Sequence, residues 1–336
     1  LDEINQSLLD PQEHELFLKA YPISQAGNFE GMNILQRADT IGKLAEQVGL
    51  REEELYTKLK DIHSKLYAFR NQQVRPLTDD KVLVSWNALA LRALAEAARY
   101  LNRPDYLKAA QDNASFLLRE MYPQGKLLRA WRNGAARHNA YLEDYAGLIL
   151  GLLELYQSDP AIRWYEAAVS LAEDMLANFR DPQGGFFDTR NDHGELITRP
   201  KDIQDNATPS GNALAAAALL RLCALSERAD WRAIAEGMLT TVQDFMVRHP
   251  TAFAYWLQGM DFAVGPVRQI AVVGPLAQVE TRELLNHIWH IFRPRTVSAV
   301  ADLPLSSGAP SLLRDRVMIQ GKPTVYICEG FTCNRP

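Results

Sequence analysis

A repeat of helical pairs after residue 75 constrains the fold more than any other feature of this sequence. Three short motifs each begin a helix rich in Ala or Leu: Ser85–Leu89 (SWNAL), Glu143–Gly147 (EDYAG) and Ser210–Leu214 (SGNAL). They recur about every 60 residues, and such a period is typical of repeat architectures. Each is followed by a more amphipathic helix. These second helices start at Pro104-Asp105, Asp159-Pro160 and Asp230-Trp231, where Asp can cap free N–H groups and Pro fits the first turn.

The second motif introduces a segment that is apolar on every side. After Glu143 and Asp144 the sequence reads YAGLILGLLELY, and a helix that is apolar all round is a buried helix. Gly147 and Gly151 are four residues apart and share one helix face, so a neighbouring helix can approach there. We therefore predict inner helices at the three motifs and outer helices after them.

Long polar loops connect each outer helix to the next inner helix, which predicts an α/α toroid. The competing architecture is an open solenoid of helical pairs, but every loop returns to the N-terminal end of an inner helix, which favours a closed ring. At about 60 residues per hairpin, the chain holds about four hairpins. A ring of six needs further sequence upstream, so we expect an incomplete toroid that forms part of a longer protein.

We expect the toroid in residues 1–261 and a small mixed α/β segment, packed on it, in residues 262–336. The first 75 residues read as mostly helical, with periodic apolar residues in Pro11–Tyr21 and Glu52–Phe69. In the last part, RQIAVV (268–273) and TVSAVA (296–301) read as strands flanking a helix over 278–292, with a further strand or hairpin over 317–328.

Composition excludes several classes of protein. A net charge of −5 without a Lys/Arg cluster argues against nucleic-acid binding, and no apolar run reaches membrane-spanning length. No zinc-protease, EF-hand or phosphate-loop motif occurs, so we expect neither a metal nor a cofactor. Three cysteines predict a reducing, cytoplasmic location; Cys328 and Cys333 lack the C-x-x-C spacing and are expected to be reduced, and Cys223 to be buried.

An ordered set of motifs resembles one known family. The motifs are Gly27–Gly31, Asp79–Asn87, Tyr141–Ala146, Gly184–Phe187, Arg199–Asp202, Ala207–Asn212 and Phe331–Cys333. Together they look like the spermatogenesis-associated protein 20 family, and the resemblance covers nearly the whole chain. It implies a six-hairpin toroid related to glycosidases and sugar epimerases, preceded in the parent protein by a thioredoxin-like domain. It also implies that this chain corresponds to the C-terminal toroid part.

Polar and aromatic residues cluster in the loops and first turns that lead into the inner helices. In a ring they would meet at one mouth, and rings beside carboxylate, amide and guanidinium groups suit a sugar substrate. The candidate catalytic residues are Asp144, Asp80, Asp202 and His138, because glycoside hydrolysis needs two carboxyl groups and epimerisation needs a proton acceptor and donor, often His. The candidate substrate-binding residues are Trp86, Asn87, Arg129, Trp131, Tyr141, Glu143, Tyr145, Arg199, Lys201, Ser210 and Asn212, with Phe186 as a further platform.

Structural roles compete with this interpretation. Glu143 or Asp144 could cap a helix, Ser210 could serve as a cap, His138 could be a hydrogen-bonded structural residue, and Trp86 could belong to the core. The alternative function is a non-catalytic scaffold that serves the thioredoxin-like domain. If Asp144 is catalytic, Asp144→Asn abolishes turnover and leaves the melting temperature nearly unchanged.

Overall fold

The computed structural model describes residues 1–194, 196–302 and 304–334 and separates the chain into two compact units. The units are residues 1–79 and 80–336. The sequence predicted a domain boundary after residue 261, which is a different position from this one. That boundary stays a prediction.

Residues 1–79 form a small helical unit with its own apolar core. Its helices are α1 (Asp2–Ser7), α2 (Pro11–Ala20), α3 (Ile41–Val48) and α4 (Glu52–Asn71). Phe17, Leu44, Leu55 and Ile62 lie at its centre. The periodicity predicted α2 and α4 to within two residues at each end.

Residues 80–336 contain the predicted helical hairpins. The inner helices are α5 (Val84–Tyr100), α7 (Leu142–Ser158), α9 (Gly211–Ser226) and α11 (Ala254–Val264), and the outer helices are α6 (Pro104–Phe116), α8 (Ile162–Phe179) and α10 (Ala229–Arg248). Each inner helix packs beside the next, and each of α6, α8 and α10 covers the inner helix before it. The chain is therefore mainly helical, and these elements form part of an α/α toroid, as predicted.

Close approach between inner helices depends on small residues. Nearly every residue of α7 is buried. A Cβ added to Gly151 would lie 3.0 Å from the backbone oxygen of Ala88 and 3.0 Å from the side chain of Leu91, so α5 packs directly on the glycine face. The close packing predicted from Gly147 and Gly151 is confirmed.

The inner helices run parallel to one another. At their N-terminal ends, the backbone N–H of Ser85 on α5 donates to Asp144 on α7 (2.9 Å). At their C-terminal ends, Arg99 on α5 pairs with Glu154 on α7 (2.8 Å). A Cβ on Gly211, the first residue of α9, would lie 3.1 Å from the backbone nitrogen of Glu143. The N-terminal ends of α5, α7 and α9 therefore meet on one side of the unit.

Two small sheets complete the unit. Strands β1 (Val82–Leu83), β2 (Leu128–Arg132) and β3 (Ala135–Asn139) form an antiparallel sheet in that order. The second sheet has the order β5-β4-β6-β7, with β4 (Arg268–Val273), β5 (Thr296–Ala301), β6 (Thr324–Glu329) and β7 (Thr332–Cys333). Helix α12 (Val279–Trp289) connects the parallel pair β4 and β5.

The second sheet packs on α7 and α9. Its inward-facing side chains belong to the same apolar core as those helices, and Ser298 on β5 donates its N–H to Oε1 of Gln157 on α7 (2.9 Å). The strands 268–273 and 296–301 were predicted without error, because continuous apolar runs suit strands buried on both faces.

The expectation for Cys328 and Cys333 was wrong, because the two residues are joined by a disulfide. Strands β6 and β7 form a tight antiparallel hairpin whose register places Cys328 opposite Cys333. A five-residue separation therefore brings the two side chains together, although it lacks the C-x-x-C pattern. Cys223 is buried and free, as expected. The cytoplasmic location stays a prediction and loses the support that reduced cysteines would give it.

None of the described helices combines the length and apolar character needed to cross a membrane.

Candidate functional site

A cavity of about 610 Å³ opens beside the N-terminal ends of α7 and α9. We call it the mouth cleft. It is lined by Arg129, Tyr141, Glu143, Asp188, Thr189, His193, Leu196, Thr198, Pro200, Asp202, Gln204, Asn206, Thr208, Pro209, Ser210 and Gly211. Its volume lies within the range of small-molecule sites. Five predicted site residues, Arg129, Tyr141, Glu143, Asp202 and Ser210, are brought together here.

Three carboxylates line the mouth cleft. Glu143 lies in the first turn of α7, and Asp188 and Asp202 lie on the loop between α8 and α9. The backbone fixes Asp188 closely: its carbonyl accepts from the N–H of Leu142 (2.9 Å) and its own N–H donates to Pro200 (2.8 Å). The N–H of Asp202 donates to Oδ2 of Asp188 (2.9 Å), so these two acidic residues are neighbours.

The surroundings of Asp188 favour the protonated form of its carboxyl group. Burial raises the pKa of its carboxyl above the ordinary value; the N–H of Asp202 opposes that shift, and the negative charges of Asp202 and Glu143 reinforce it. A carboxyl group with a raised pKa stays protonated closer to neutral pH, as a general acid requires.

Tyr141, His193 and Arg129 form an aromatic and cationic wall of the mouth cleft. The Tyr141 and His193 rings are stacked, with centroids 5.5 Å apart and an interplanar angle of 21°. The guanidinium of Arg129 lies over the Tyr141 ring (4.4 Å to the centroid) and donates to Oε1 of Glu143 (2.9 Å). Nδ1 of His193 is buried and has no hydrogen-bond partner among the described residues.

Asp144, predicted as the first catalytic residue, instead joins two inner helices and lies outside the cleft lining. Its carboxylate is fully buried and accepts from the N–H of Ser85 (2.9 Å), the N–H of Tyr141 (2.9 Å) and Nη1 of Arg129 (3.1 Å). Burial raises the pKa of Asp144 to about 6, while Arg129 and the Tyr141 N–H oppose the increase. These contacts describe a helix cap, the competing role considered above.

Of the four predicted catalytic residues, Asp202 lines the cleft. The remaining two, Asp80 and His138, lie on the surface, outside the cleft lining. Asp80 is exposed and pairs with Arg132 on β2 (2.5 Å). His138 is exposed on β3. Neither side chain lines the mouth cleft.

The predicted aromatic residues divide between surface and interior. Trp86 is not a core residue, because it is 65 % exposed at the start of α5, and Trp131 packs edge-to-face on Phe116 (5.4 Å). Phe186 is fully buried. Tyr145 is also buried, and its hydroxyl donates to Asp174 (2.6 Å) and accepts from Arg190.

Asn212, Lys201 and Arg199 hold the loop between α8 and α9 (the cleft loop, 180–210) rather than line the cleft, whereas Ser210 lines the cleft and also caps a helix. The amide of Asn212 is fully buried; it accepts from the N–H of Phe186 (2.9 Å) and donates to the carbonyl oxygens of Phe186 (2.9 Å) and Asp202 (3.1 Å). Lys201 pairs with Asp181 (2.9 Å), and Arg199 donates to Thr189. Asn87 donates to the carbonyl of Leu83 (2.9 Å). Ser210 caps α9, with Oγ accepting from the N–H of Ala213 (3.2 Å).

Asp188, His193 and Gln204 line the cleft but were missed in the sequence. Asp188 follows the Gly184–Phe187 motif directly, and this adjacency was the available signal. His193 lies in a polar loop with no periodicity, so only the folded loop shows its position against Tyr141. In the ranges that the structure describes, no group of three or more His, Cys, Asp or Glu residues could hold a metal ion.

Comparison with known proteins supports the predicted resemblance. The chain is 29% identical to human spermatogenesis-associated protein 20 over 352 aligned positions and 30% identical to the rat protein, with 96% of this chain covered in each case. The resemblance is confirmed. An uncharacterized protein of Caenorhabditis elegans is 27% identical over 92% of the chain. The chain spans 44% of the length of these relatives, and a thioredoxin-like domain in the parent protein stays a prediction.

Two further comparisons are less informative. No family model matches the chain. Among solved structures, a cellobiose 2-epimerase from Spirochaeta thermophila superimposes with a TM-score of 0.40 and 16% identity, covering 48% of this chain and 43% of the epimerase. A TM-score of 0.40 is too low to assign a fold, so the toroid assignment rests on the helix packing described above.

Proposed function

We propose that the mouth cleft binds and processes a carbohydrate, either by hydrolysing a glycosidic bond or by epimerising a sugar. One observation carries the proposal: the carboxylates of Glu143, Asp188 and Asp202 line the same cavity as the stacked rings of Tyr141 and His193. The rings offer a flat apolar face to sugar C–H groups, and the carboxylates accept hydrogen bonds from hydroxyl groups.

Asp188 supplies the proton in this proposal. Its burial and its acidic neighbours favour the protonated form. In hydrolysis it protonates the departing oxygen while a second carboxylate, Asp202 or Glu143, assists the attacking water or forms the covalent intermediate. In epimerisation the same residues exchange a proton on a carbon next to a carbonyl group. Neither route requires a cofactor.

Arg129 orients Glu143 in this arrangement. Its guanidinium contacts both Glu143 and Asp144, so it connects the cleft to the buried cap of α7. This pairing fixes the Glu143 carboxylate at the cleft, in position to bind substrate or assist the attacking water.

One-dimensional proton NMR tests the proposal. The protein is incubated with a panel of mono- and oligosaccharides. New anomeric signals show hydrolysis, conversion between epimers shows epimerisation, and broadened sugar signals show binding without turnover. We expect conversion of at least one sugar, with Tyr141→Ala reducing it. A broad panel that shows neither conversion nor broadening would contradict the proposal.

A further inference from the structure

A second cavity, of about 330 Å³, lies at the other end of the inner helices. Glu154, in its wall, is eleven residues beyond Glu143 on α7, or about 16 Å along the helix at 1.5 Å per residue. The other wall residues used below are Arg92, Glu96, Arg99 and Tyr100 from α5, Arg221 from α9, Phe262 from α11 and Phe292 with Arg293 from the segment before β5. We call it the basal cavity.

The buried carboxylate of Glu154 and the guanidinium groups of Arg99 and Arg221 form the base of the basal cavity. Arg99 donates to Oε2 of Glu154 (2.8 Å), and the two side chains are 4% and 5% exposed. Burial alone would raise the pKa of Glu154, but the charges of Arg99, Arg221 and Arg92 outweigh it and hold this pKa below the ordinary value. Glu154 is therefore ionised and neutralises one guanidinium.

The basal cavity keeps an excess of positive charge after that pairing. Four guanidinium groups, those of Arg92, Arg99, Arg221 and Arg293, line it. Of the three acids in its wall, Asp261 pairs with Arg295, which lies outside the lining. Burial and the neighbouring charge of Glu154 raise the pKa of Glu96. Even when Glu96 is ionised, Glu154 and Glu96 supply two negative charges against four arginines. At least two arginines therefore lack a full counter-charge.

Arg221 has donors available for a ligand. Its Nη1 lies 3.6 Å from Oε1 of Glu154, beyond hydrogen-bonding distance, and its guanidinium stacks on Phe262 (5.1 Å to the centroid). In the part of the chain that the structure describes, it makes no hydrogen bond. Its side chain is 18% exposed, so a molecule in the cavity can reach it.

We propose that the basal cavity binds a small organic oxyanion, a phosphate or a carboxylate, through the guanidinium groups of Arg221 and Arg92. Planar guanidinium forks match the two oxygens of such groups. The rings of Phe262, Tyr100 and Phe292 provide apolar surface for the organic part, with Tyr100 and Phe292 in edge-to-face contact (5.4 Å). An oxyanion would supply negative charge to the arginines that Glu154 does not neutralise.

Calorimetric titration tests the site with four probes: inorganic phosphate, glucose 6-phosphate, glucuronate and uncharged glucose. We expect saturable binding of at least one anion below about 1 mM, with glucose binding more weakly than that anion. Tighter binding of the phosphate probes assigns a phosphate ligand, and tighter binding of glucuronate assigns a carboxylate. No saturable binding of any anion up to about 10 mM would overturn the proposal.

Matched variants locate the binding. Arg221→Gln should weaken it by at least about tenfold, whereas Arg163→Gln, at an exposed position on the outer helix α8, should leave it unchanged. Equal affinities for the two variants would overturn the proposal. If Arg221→Gln does not fold, Arg221→Lys replaces it. Lys keeps the charge beside Glu154 and loses the fork; weaker binding supports the site, and unchanged binding overturns it.

Discussion

Asp144 and Asp188 both lie near the first turn of α7, but their contacts give them different roles. Asp144 is enclosed and satisfied by three donors. Asp188 faces the mouth cleft with acidic neighbours. The sequence indicated that acidic residues gather at this point. It could not show which carboxylate turns inward, because that depends on the position of α5, whose Ser85 lies 59 residues away along the chain.

We expect Asp144→Asn to destabilise the fold by about 1–3 kcal/mol, because an amide cannot accept from all three donors and brings N–H groups of its own. Urea unfolding followed by circular dichroism measures the effect. Asp244→Asn, at an exposed position on α10, is the control and should leave stability unchanged. An unchanged melting temperature combined with lost turnover would restore Asp144 to the catalytic role.

Tyr141 offers a second test at this scale. Tyr141→Ala should weaken sugar binding by about tenfold, because it removes the ring that stacks on His193. Tyr141→Phe keeps the ring and should bind nearly as well as the wild type. NMR line broadening of the bound sugar measures both affinities. Equal losses in the two variants would assign the effect to the hydroxyl group rather than to stacking.

At the scale of elements, the sequence predicted most helices because their apolar periodicities follow from burial. The inner helices α5, α7 and α9, the outer helices and the strands β4 and β5 were predicted from pattern alone, whereas the fourth inner helix, α11, was not. The disulfide was not, since its geometry depends on the register of β6 with β7. The polar cleft loop, 180–210, has no period, so Asp188 and His193 were not located.

Gly151 tests the packing of the inner helices. Gly151→Ala should destabilise the protein by about 1–3 kcal/mol, because its Cβ meets the backbone of α5, which cannot move aside. Gly237→Ala on α10 is the matched control: no atom lies within 4 Å of the added Cβ, and the helix should gain about 0.5–1 kcal/mol. Unfolding midpoints measure both. A stabilising Gly151→Ala would contradict the close contact of α5 and α7.

At the scale of the whole molecule, the toroid unit has two polar regions at opposite ends of α7. The mouth cleft carries acidic groups, and the basal cavity carries arginines around one buried glutamate. The position of the acidic mouth cleft was predictable because polar loops and recurring motifs in the sequence lead into the inner helices there. The arginines of the basal cavity come from helices α5 and α9 and from the segment before β5, so only the folded structure shows that they converge.

Glu154, in the basal cavity, should make the stability of the fold depend on pH in a predictable direction. Because its folded pKa is lowered, its contribution to stability is present above the unfolded value of about 4.3 and is lost as pH falls through the lower folded value. Glu154→Gln should cost about 3–5 kcal/mol at neutral pH, since Arg99 is left buried without a counter-charge. It should also flatten the stability profile in acid.

Unfolding free energies from pH 2 to 7 measure this response. Glu236→Gln is the control, because Glu236 forms an exposed pair with Arg232 on α10 and contributes little to stability. A Glu154→Gln protein with wild-type stability at neutral pH would contradict the buried network.

The most direct test of the mouth cleft compares Asp188→Asn with Asp244→Asn for turnover of the sugar that the NMR panel identifies. We expect Asp188→Asn to lose at least about 100-fold in turnover, the usual contribution of a general acid, while its melting temperature and sugar binding stay close to wild type. Wild-type turnover should fall as pH rises through the raised pKa of Asp188. Asp244→Asn should remain fully active. If Asp188→Asn turns over at the wild-type rate, Asp188 is not the proton donor and the catalytic assignment of the cleft is wrong.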